Sequence, residues 1–389
     1  MSISITGLGI VSAIGMNLDE NLNSLQNLKS GISSIDLINE LQENFLGGEI
    51  KLTNQELSLI AFGKDQQEVF PRSLLLSLIA AKQAWGENNI SPKIKTVIIG
   101  ATTVGGMDLA EKILEKDVRI QSLAHNPSGI ITDYLADYFH LDEFKTTIST
   151  ACSSTANAII LGSRMIKNGL ADRVLVGGGD ALTKFTVNGF NSLRIYDTDF
   201  CKPFDNNRKG LNLGEAAAYI VLENDKSLSI TKNKKVASIL GWGNANDAYH
   251  QTASSPNGEG AQKAMQLALE EADLKPEDID YINAHGTATV NNDLSEGRAI
   301  ETLFGKNQLF SSTKGYTGHT LAAAGVVECI YSILSIKNKT IFPTLNHNIL
   351  MPELKVKPVI NIKKDITINT VLSNSFGFGG NNATIIIGK

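Results

Sequence analysis

Short apolar or β-prone runs alternate along the chain with longer stretches in which apolar residues recur every three or four positions. The short runs predict strands at 3–7, 96–100, 146–149, 173–177 and 216–222 in the first half. They predict strands again at 236–241, 280–282, 309–312, 370–373 and 383–387 in the second. The longer stretches predict helices, among them 73–85, 154–168, 261–272 and 322–336. The last carries Ala and aliphatic residues on every side, which predicts a helix buried all round. Alternation of this kind predicts an α/β fold with helices covering sheets. It also hints at a duplication. A strand leads through Ser149-Thr-Ala-Cys-Ser-Ser into one small-residue helix, and a second leads through Ser312-Thr-Lys-Gly-Tyr-Thr-Gly-His into another. The lysine-rich stretch 231–235 then marks a junction, dividing the chain into 1–235 and 236–389 within one compact unit. Residues 37–70 are polar and irregular.

Composition narrows the class without adding chemistry. At 389 residues, 42% hydrophobic and 19% charged, this is an ordinary globular chain longer than a typical single domain. No apolar run approaches the roughly 20 residues of a membrane span, and the first residues lack the basic and apolar regions of an export signal. A net charge of −5 with no long basic block argues against nucleic-acid binding. The cysteines, Cys152, Cys201 and Cys329, are odd in number and widely spaced, which predicts free thiols in a reducing, cytoplasmic setting.

Chemistry enters with Cys152, placed between a strand-like run and a helix start. A helix N-terminus favours thiolate over thiol, and the thiolate is the nucleophile. A lone cysteine is more often a buried structural residue. Two histidines change the balance: His285 in Asn283-Ala-His-Gly-Thr-Ala-Thr and His319 in the second strand-to-helix loop, five residues after Lys314. A cysteine with histidines remote in sequence, all at strand ends, is the pattern of covalent thiol catalysis. His125, His140, His250 and His347 show no metal-ligand spacing, so no metal site is expected.

These segments resemble the β-ketoacyl-acyl-carrier-protein synthases of the elongation type. The resemblance runs from Ile5-Thr-Gly-Leu-Gly to Ser373-Asn-Ser-Phe-Gly-Phe-Gly-Gly-Asn-Asn. Between them it passes through the Cys152 segment, Lys202-Pro-Phe-Asp with Gly214-Glu215, Asp247-Ala-Tyr-His, and the two histidine loops. It implies a thiolase-like, five-layer α-β-α-β-α fold of two similar mixed-sheet halves, with 37–70 as part of an inserted cap. It implies that Cys152 carries an acyl group and that His285 and His319 donate, through Nε2–H, to the carbonyl of malonyl-carrier as it becomes an enolate. The N–H groups of Cys152 and Phe378 would form the oxyanion hole, with Gly377, Gly379 and Gly380 letting the backbone approach, and Phe378 would also be a gate. Lys314 would pair with Glu328. Thr287 and Thr289 would contact the pantetheine arm, although loop-capping is as good a reading of two threonines. Val104 and Phe190 would line the acyl pocket, and a residue as small as Val at 104 implies room for a longer or stiffer chain.

The family needs no cofactor beyond the phosphopantetheine carried by its acyl carrier protein substrate, and no metal, although an ordered cation sometimes appears near the Glu328 region. Partners implied are that carrier, acyl and malonyl thioesters, and a second copy of the chain. A heterodimer with a chain-length factor is the alternative. Chain-length factors generally lack the reactive cysteine, thiolases would have a second one in the loop at 376–382, and initiation-type synthases use Cys-His-Asn; none of these matches. Two departures, Gly214-Glu-Ala-Ala-Ala and Gly380-Asn-Asn, point to a specialised synthase, for example of polyenes.

Overall fold

Twelve strands are found among the described residues, which in this computed structural model are 2–38, 41, 45–64, 66, 68–87, 91–115, 124 and 126–389. They are β1 (Ile3–Ser12), β2 (Ser33–Ser34), β3 (Leu46–Gly47), β4 (Thr96–Ala101), β5 (Lys145–Ile148), β6 (Arg173–Asp180), β7 (Ala216–Glu223), β8 (Ala237–Asn246), β9 (Tyr281–Asn283), β10 (Phe310–Ser311), β11 (Thr370–Phe376) and β12 (Asn381–Gly388). β2 and β3 form a separate ribbon; the other ten run β10-β9-β11-β12-β8-β1-β7-β6-β4-β5. Numbered within its own set of five and read from its outer edge inward, each half of this order runs third, second, fourth, fifth, first. The senses repeat as well. β4 is parallel to β5 and β6, as β9 is to β10 and β11, and the remaining pairs are antiparallel. The two sets of five join at a short seam, Ile3–Ile239, Ser4–Ser238 and Ile5–Ala237.

Helices make three further layers. Arg72–Trp85 and Ile130–Phe139 cover one set of strands through a core that includes Leu74, Leu78, Leu175 and Tyr219. Ser154–Lys167 and Ala324–Asn338 lie between the sets, among Ile159, Val176, Ile220, Ile330 and Ile385. Glu259–Ala272 and Val290–Phe304 cover the other set through Met265, Ile282, Ile300 and Leu372. The first strand of each half uses the same device against its outer helix. A Cβ on Gly9 of β1 would lie 2.0 Å from Ala80 O, and one on Gly243 of β8 would lie 1.9 Å from Ala264 O. Only glycine lets backbone and helix approach so closely.

The central helix is buried on all sides, and it follows a 3₁₀ turn at Leu321–Ala323. The two elements together, Leu321–Asn338, are long and apolar enough to cross a membrane, more than the run lengths in the sequence suggest. They are 89% buried inside the protein, which accounts for the apolarity. Residues 37–70 are not wholly irregular, either. They contain β3 and a helix at Asn54–Phe62. That helix starts with a capping box in which Glu56 N–H donates to Thr53 Oγ1 and Thr53 N–H donates to Glu56 Oε2. Residues 39–40, 42–44, 65 and 67 of this stretch lie outside the described residues.

Candidate active site

The chain leaves β5 at Ile148 and turns sharply into the Ser154–Lys167 helix. Ala151, at the turn, has φ +52°, a left-handed conformation that costs a residue with a Cβ about 1 kcal/mol or more. Local hydroxyls hold it there. Ser154 Oγ accepts Thr150 N–H at 2.9 Å and donates to Ala151 O at 2.6 Å, while Ser153 Oγ donates to Thr150 O at 2.7 Å. Cys152 sits on the tip of this turn, 6% exposed.

His285 follows β9. Its backbone is fixed by Glu296, a buried carboxylate on the Val290–Phe304 helix that accepts the N–H groups of His285 and Gly286, each at 2.8 Å. His319 is fixed through backbone bonds to Asn212 O (2.8 Å) and from Gly214 N (2.9 Å). Folding brings Cys152 Sγ and a ring nitrogen of each histidine within 4.8 Å of one another. The two rings stand edge to face, centroids 5.2 Å apart and planes at 86°. Lys314, 2% exposed, donates its Nζ to Glu328 on the central helix and to His285 O, and lies 3.3 Å from His285 Nδ1.

These contacts set the proton positions. Burial, and next the Lys314 charge, hold both histidines well below the ordinary imidazole range, so both are neutral near pH 7. Leu321 N–H donates to His319 Nδ1 at 3.1 Å, and the Lys314 ammonium faces His285 Nδ1. Each ring therefore carries its proton on Nε2, as a donor. The thiol differs from the sequence-based expectation. Burial pushes Cys152 up to about 11, against the opposing pull of Lys314 and of Phe378 N–H. Desolvation of a closed site outweighs the helix N-terminus, so the resting group is a thiol. Burial likewise raises Glu328 to about 7 against the pull of Lys314. The sulfur and two imidazole nitrogens have a spacing that would also suit a metal. Both Nδ1 atoms are occupied, and the Lys314 ammonium beside His285 Nδ1 repels a cation. Of the remaining histidines, His140, His250 and His347 lie outside this cluster, and His125 lies outside the described residues.

Phe378 opens a tight turn whose Gly379 and Gly380 both have φ +79°. Gly377 packs against the nucleophile turn; a Cβ there would lie 2.9 Å from Thr150 O and 3.3 Å from Cys152 N. Gly379 is exposed, and its N–H donates to Gln251 O at 2.7 Å. The Phe378 ring stacks on Phe190, centroids 5.8 Å apart and planes at 19°. This pair separates two cavities, and Cys152 borders both. One, of about 870 Å³ including its open mouth, is lined by His285, His319, Thr287, Thr289 and Phe376, with Arg194 and Lys209. The other, about 640 Å³ including its opening, is apolar and lined by Val104, Met107, Phe185 and Leu321. Thr289 precedes the Val290–Phe304 helix but caps none of its N–H groups; its hydroxyl meets that of Thr287 at 2.9 Å on the cavity wall.

Sequence reading misses three supporting groups. Glu296 is one. The second is Asp180, the buried end of β6, which accepts Thr102 and Thr103 hydroxyls and the N–H groups of Thr103, Val104 and Ala322. The third is Asn381, noted in the sequence only as a departure. A carboxylate ending a strand, Gly177-Gly-Gly-Asp, is the available signal for Asp180. An acid in the second turn of a helix that follows a catalytic loop is the signal for Glu296.

Comparison with known proteins assigns the chain to a family. The beta-ketoacyl synthase N-terminal domain matches residues 1–227 and the corresponding C-terminal domain residues 236–348. The chain is 33% identical over 414 aligned residues to 3-oxoacyl-[acyl-carrier-protein] synthase 2 of Staphylococcus aureus (strain COL), covering 100% of this chain and 98% of that one. Its structure superposes on the ishigamide ketosynthase/chain length factor with a TM-score of 0.91 at 28% identity, covering 100% and 99% of the two chains. It superposes on a ketosynthase in complex with its chain length factor from Xenorhabdus doucetiae with a TM-score of 0.85 at 29% identity, covering 100% and 98%. The fold is thus the thiolase-like α/β architecture of these ketosynthases, and the chain belongs to the beta-ketoacyl synthase family of condensing acyltransferases.

Proposed function

We propose that the chain joins an acyl group held on Cys152 to malonyl-carrier by decarboxylative Claisen condensation. The observation that carries this reading is the meeting of one sulfur and two neutral Nε2–H donors between a more polar cleft and an apolar pocket. The pantetheine arm of an acyl carrier protein enters by the cleft, past Thr287 and Thr289, and the acyl chain occupies the cavity beside Val104 and Phe190. The protein supplies no cofactor of its own. Cys152 sulfur attacks the thioester carbonyl; the new C–S bond forms as the bond to pantetheine breaks, and the thiol proton ends on the departing pantetheine sulfur. The N–H groups of Cys152 and Phe378 hold the transient oxyanion, where one lost donor typically costs about 3–4 kcal/mol.

Malonyl-carrier then binds. Its C–C bond to the carboxylate breaks, CO₂ leaves, and the electron pair forms a thioester enolate whose oxygen is held by His285 and His319. The enolate carbon attacks the acyl carbonyl. Collapse expels Cys152 as a thiolate, which takes a proton from solvent, and a 3-oxoacyl-carrier two carbons longer is released. Neutral histidines suit this step because they donate without needing to ionise. Lys314, with Glu328, holds His285 in the donor tautomer.

The reading divides the chain into halves at 1–235 and 236–389, supported by the repeated strand order. It places the enzyme in the cytoplasm, in keeping with three free thiols. It pairs two copies along β5, which ends the ladder with no outer strand among the described residues. The second reading, a heterodimer with a chain-length factor, is favoured by the two solved relatives described above. The test is incubation with acyl-carrier, mass analysis of Cys152, then addition of malonyl-carrier. Acylation followed by a product two carbons longer is expected; an unmodified Cys152 refutes the reading, with or without a partner subunit present.

A further inference from the structure

The departure at Asn381 is a side-chain cluster that the steps above do not use. Asn381 Oδ1 accepts three donors: Ser153 Oγ at 2.8 Å, Asn157 Nδ2 at 2.7 Å and Asn244 Nδ2 at 3.2 Å. Asn244 Nδ2 also donates to Asn157 Oδ1 at 2.7 Å, and Asn157 Nδ2 reaches Thr150 Oγ1 at 2.9 Å. Ser153, Asn157 and Thr150 belong to the nucleophile turn and its helix, whereas Asn244 lies on β8 and Asn381 begins β12. The cluster therefore ties the turn that carries Cys152 to strands of the other half. Asn381 also acts through its backbone, because its carbonyl accepts Gly377 N–H at 2.8 Å and so closes the turn that carries Phe378. One residue thus grips both segments that present the oxyanion-hole N–H groups.

We propose that Asn381 is a positioning residue that sets the separation of the Cys152 and Phe378 N–H donors, and so acts on acyl transfer rather than on decarboxylation. This rests on the condensing reading above. Placement matters because preorganised donors lose much of their effect when displaced by a fraction of an ångström to an ångström.

The test is Asn381→Ala, read in three assays beside the unaltered protein. Single-turnover acylation of Cys152 by acyl-carrier should slow about 10- to 100-fold. Alkylation of Cys152 by iodoacetamide, which builds no oxyanion, and malonyl-carrier decarboxylation in the Cys152→Ala background should stay within about twofold. Asn381→Asp, which keeps the acceptor oxygen, should restore most of the acylation rate, and Asn381→Leu should not. Asn157→Ala cuts the same link from the opposite side and should show the same selective loss, which decides the matter if the Asn381 variants do not fold. Parallel loss in all three assays, or no loss in any, overturns the role of Asn381. An unaltered protein that takes no acyl group refutes the condensing reading itself.

Discussion

On the condensing reading, enlarging Val104 should convert a permissive apolar cavity into a length-selective one. Val104 is 8% exposed on the cavity wall, and its backbone cannot retreat. Its N–H and that of Thr103 donate to the fully buried Asp180 at 3.1 and 3.0 Å, and Asp180 also takes Ala322 N–H at 2.9 Å, beside Leu321 on another part of the wall. In Val104→Phe the added ring, about four heavy atoms larger, must therefore grow into the cavity and displace about three to four methylenes of substrate, each contributing about 0.8 kcal/mol. That is about 2.4–3.2 kcal/mol, or roughly 60- to 200-fold in kcat/KM for chains that extend past position 104. Chains that end before it should change by less than about threefold. The assay is competition among acyl-carriers of graded length with malonyl-carrier, read by product mass. A uniform loss at all lengths, or an unchanged length preference, refutes the reasoning.

Three further outcomes follow from the site and its supports. His319→Ala should cut malonyl-carrier decarboxylation by about 10²–10³-fold while leaving acylation of Cys152 within about fivefold, measured by CO₂ release and by protein mass; equal loss in both would end the division of roles given above. With the thiol pushed up to about 11, the thiolate fraction still rises steadily at ordinary pH. Alkylation of the resting enzyme should therefore quicken about tenfold per pH unit between roughly pH 7 and 9, and a plateau near pH 8 would contradict it. Arg72 is the charge partner of the fully buried Glu215 and also donates to Ile50 O and Leu52 O. Arg72→Met should destabilise the protein by about 3–5 kcal/mol in urea unfolding, because it strands a buried carboxylate; a loss under 1 kcal/mol would mean that the pair behaves as a surface one.

The ten strands of the main ladder were readable because each contains a short apolar or β-prone run, whereas the β2–β3 ribbon, which begins with Ser33–Ser34, carries no such run; His285, Lys314 and His319 were readable because they stand in Gly/Thr loops just after such runs. What stayed hidden depends on groups brought together from far apart. Local reading gave Cys152 a favourable helix terminus, yet its proton affinity is decided by closure of the cavity around it. The Asn54–Phe62 helix carries a legible capping box, Thr53 with Glu56, that a polar composition disguised. Asn381 was visible only as an unexpected letter, since its three donors come from residues 153, 157 and 244.

The position of β1 has a consequence for biosynthesis. It is synthesised before its neighbours in the ladder, β7 and β8, and its Ser4 lies opposite Glu223. At about 5–20 residues per second, roughly ten to forty seconds pass before those neighbours exist. Throughout that interval Ile3, Ile5, Ile10 and Val11, all buried in the finished protein, have no native strand to pair with. A nascent chain with both edges of β1 bare is a natural client for a holding chaperone. Yield in a host depleted of such factors should therefore fall well before the intrinsic stability of the finished enzyme would predict.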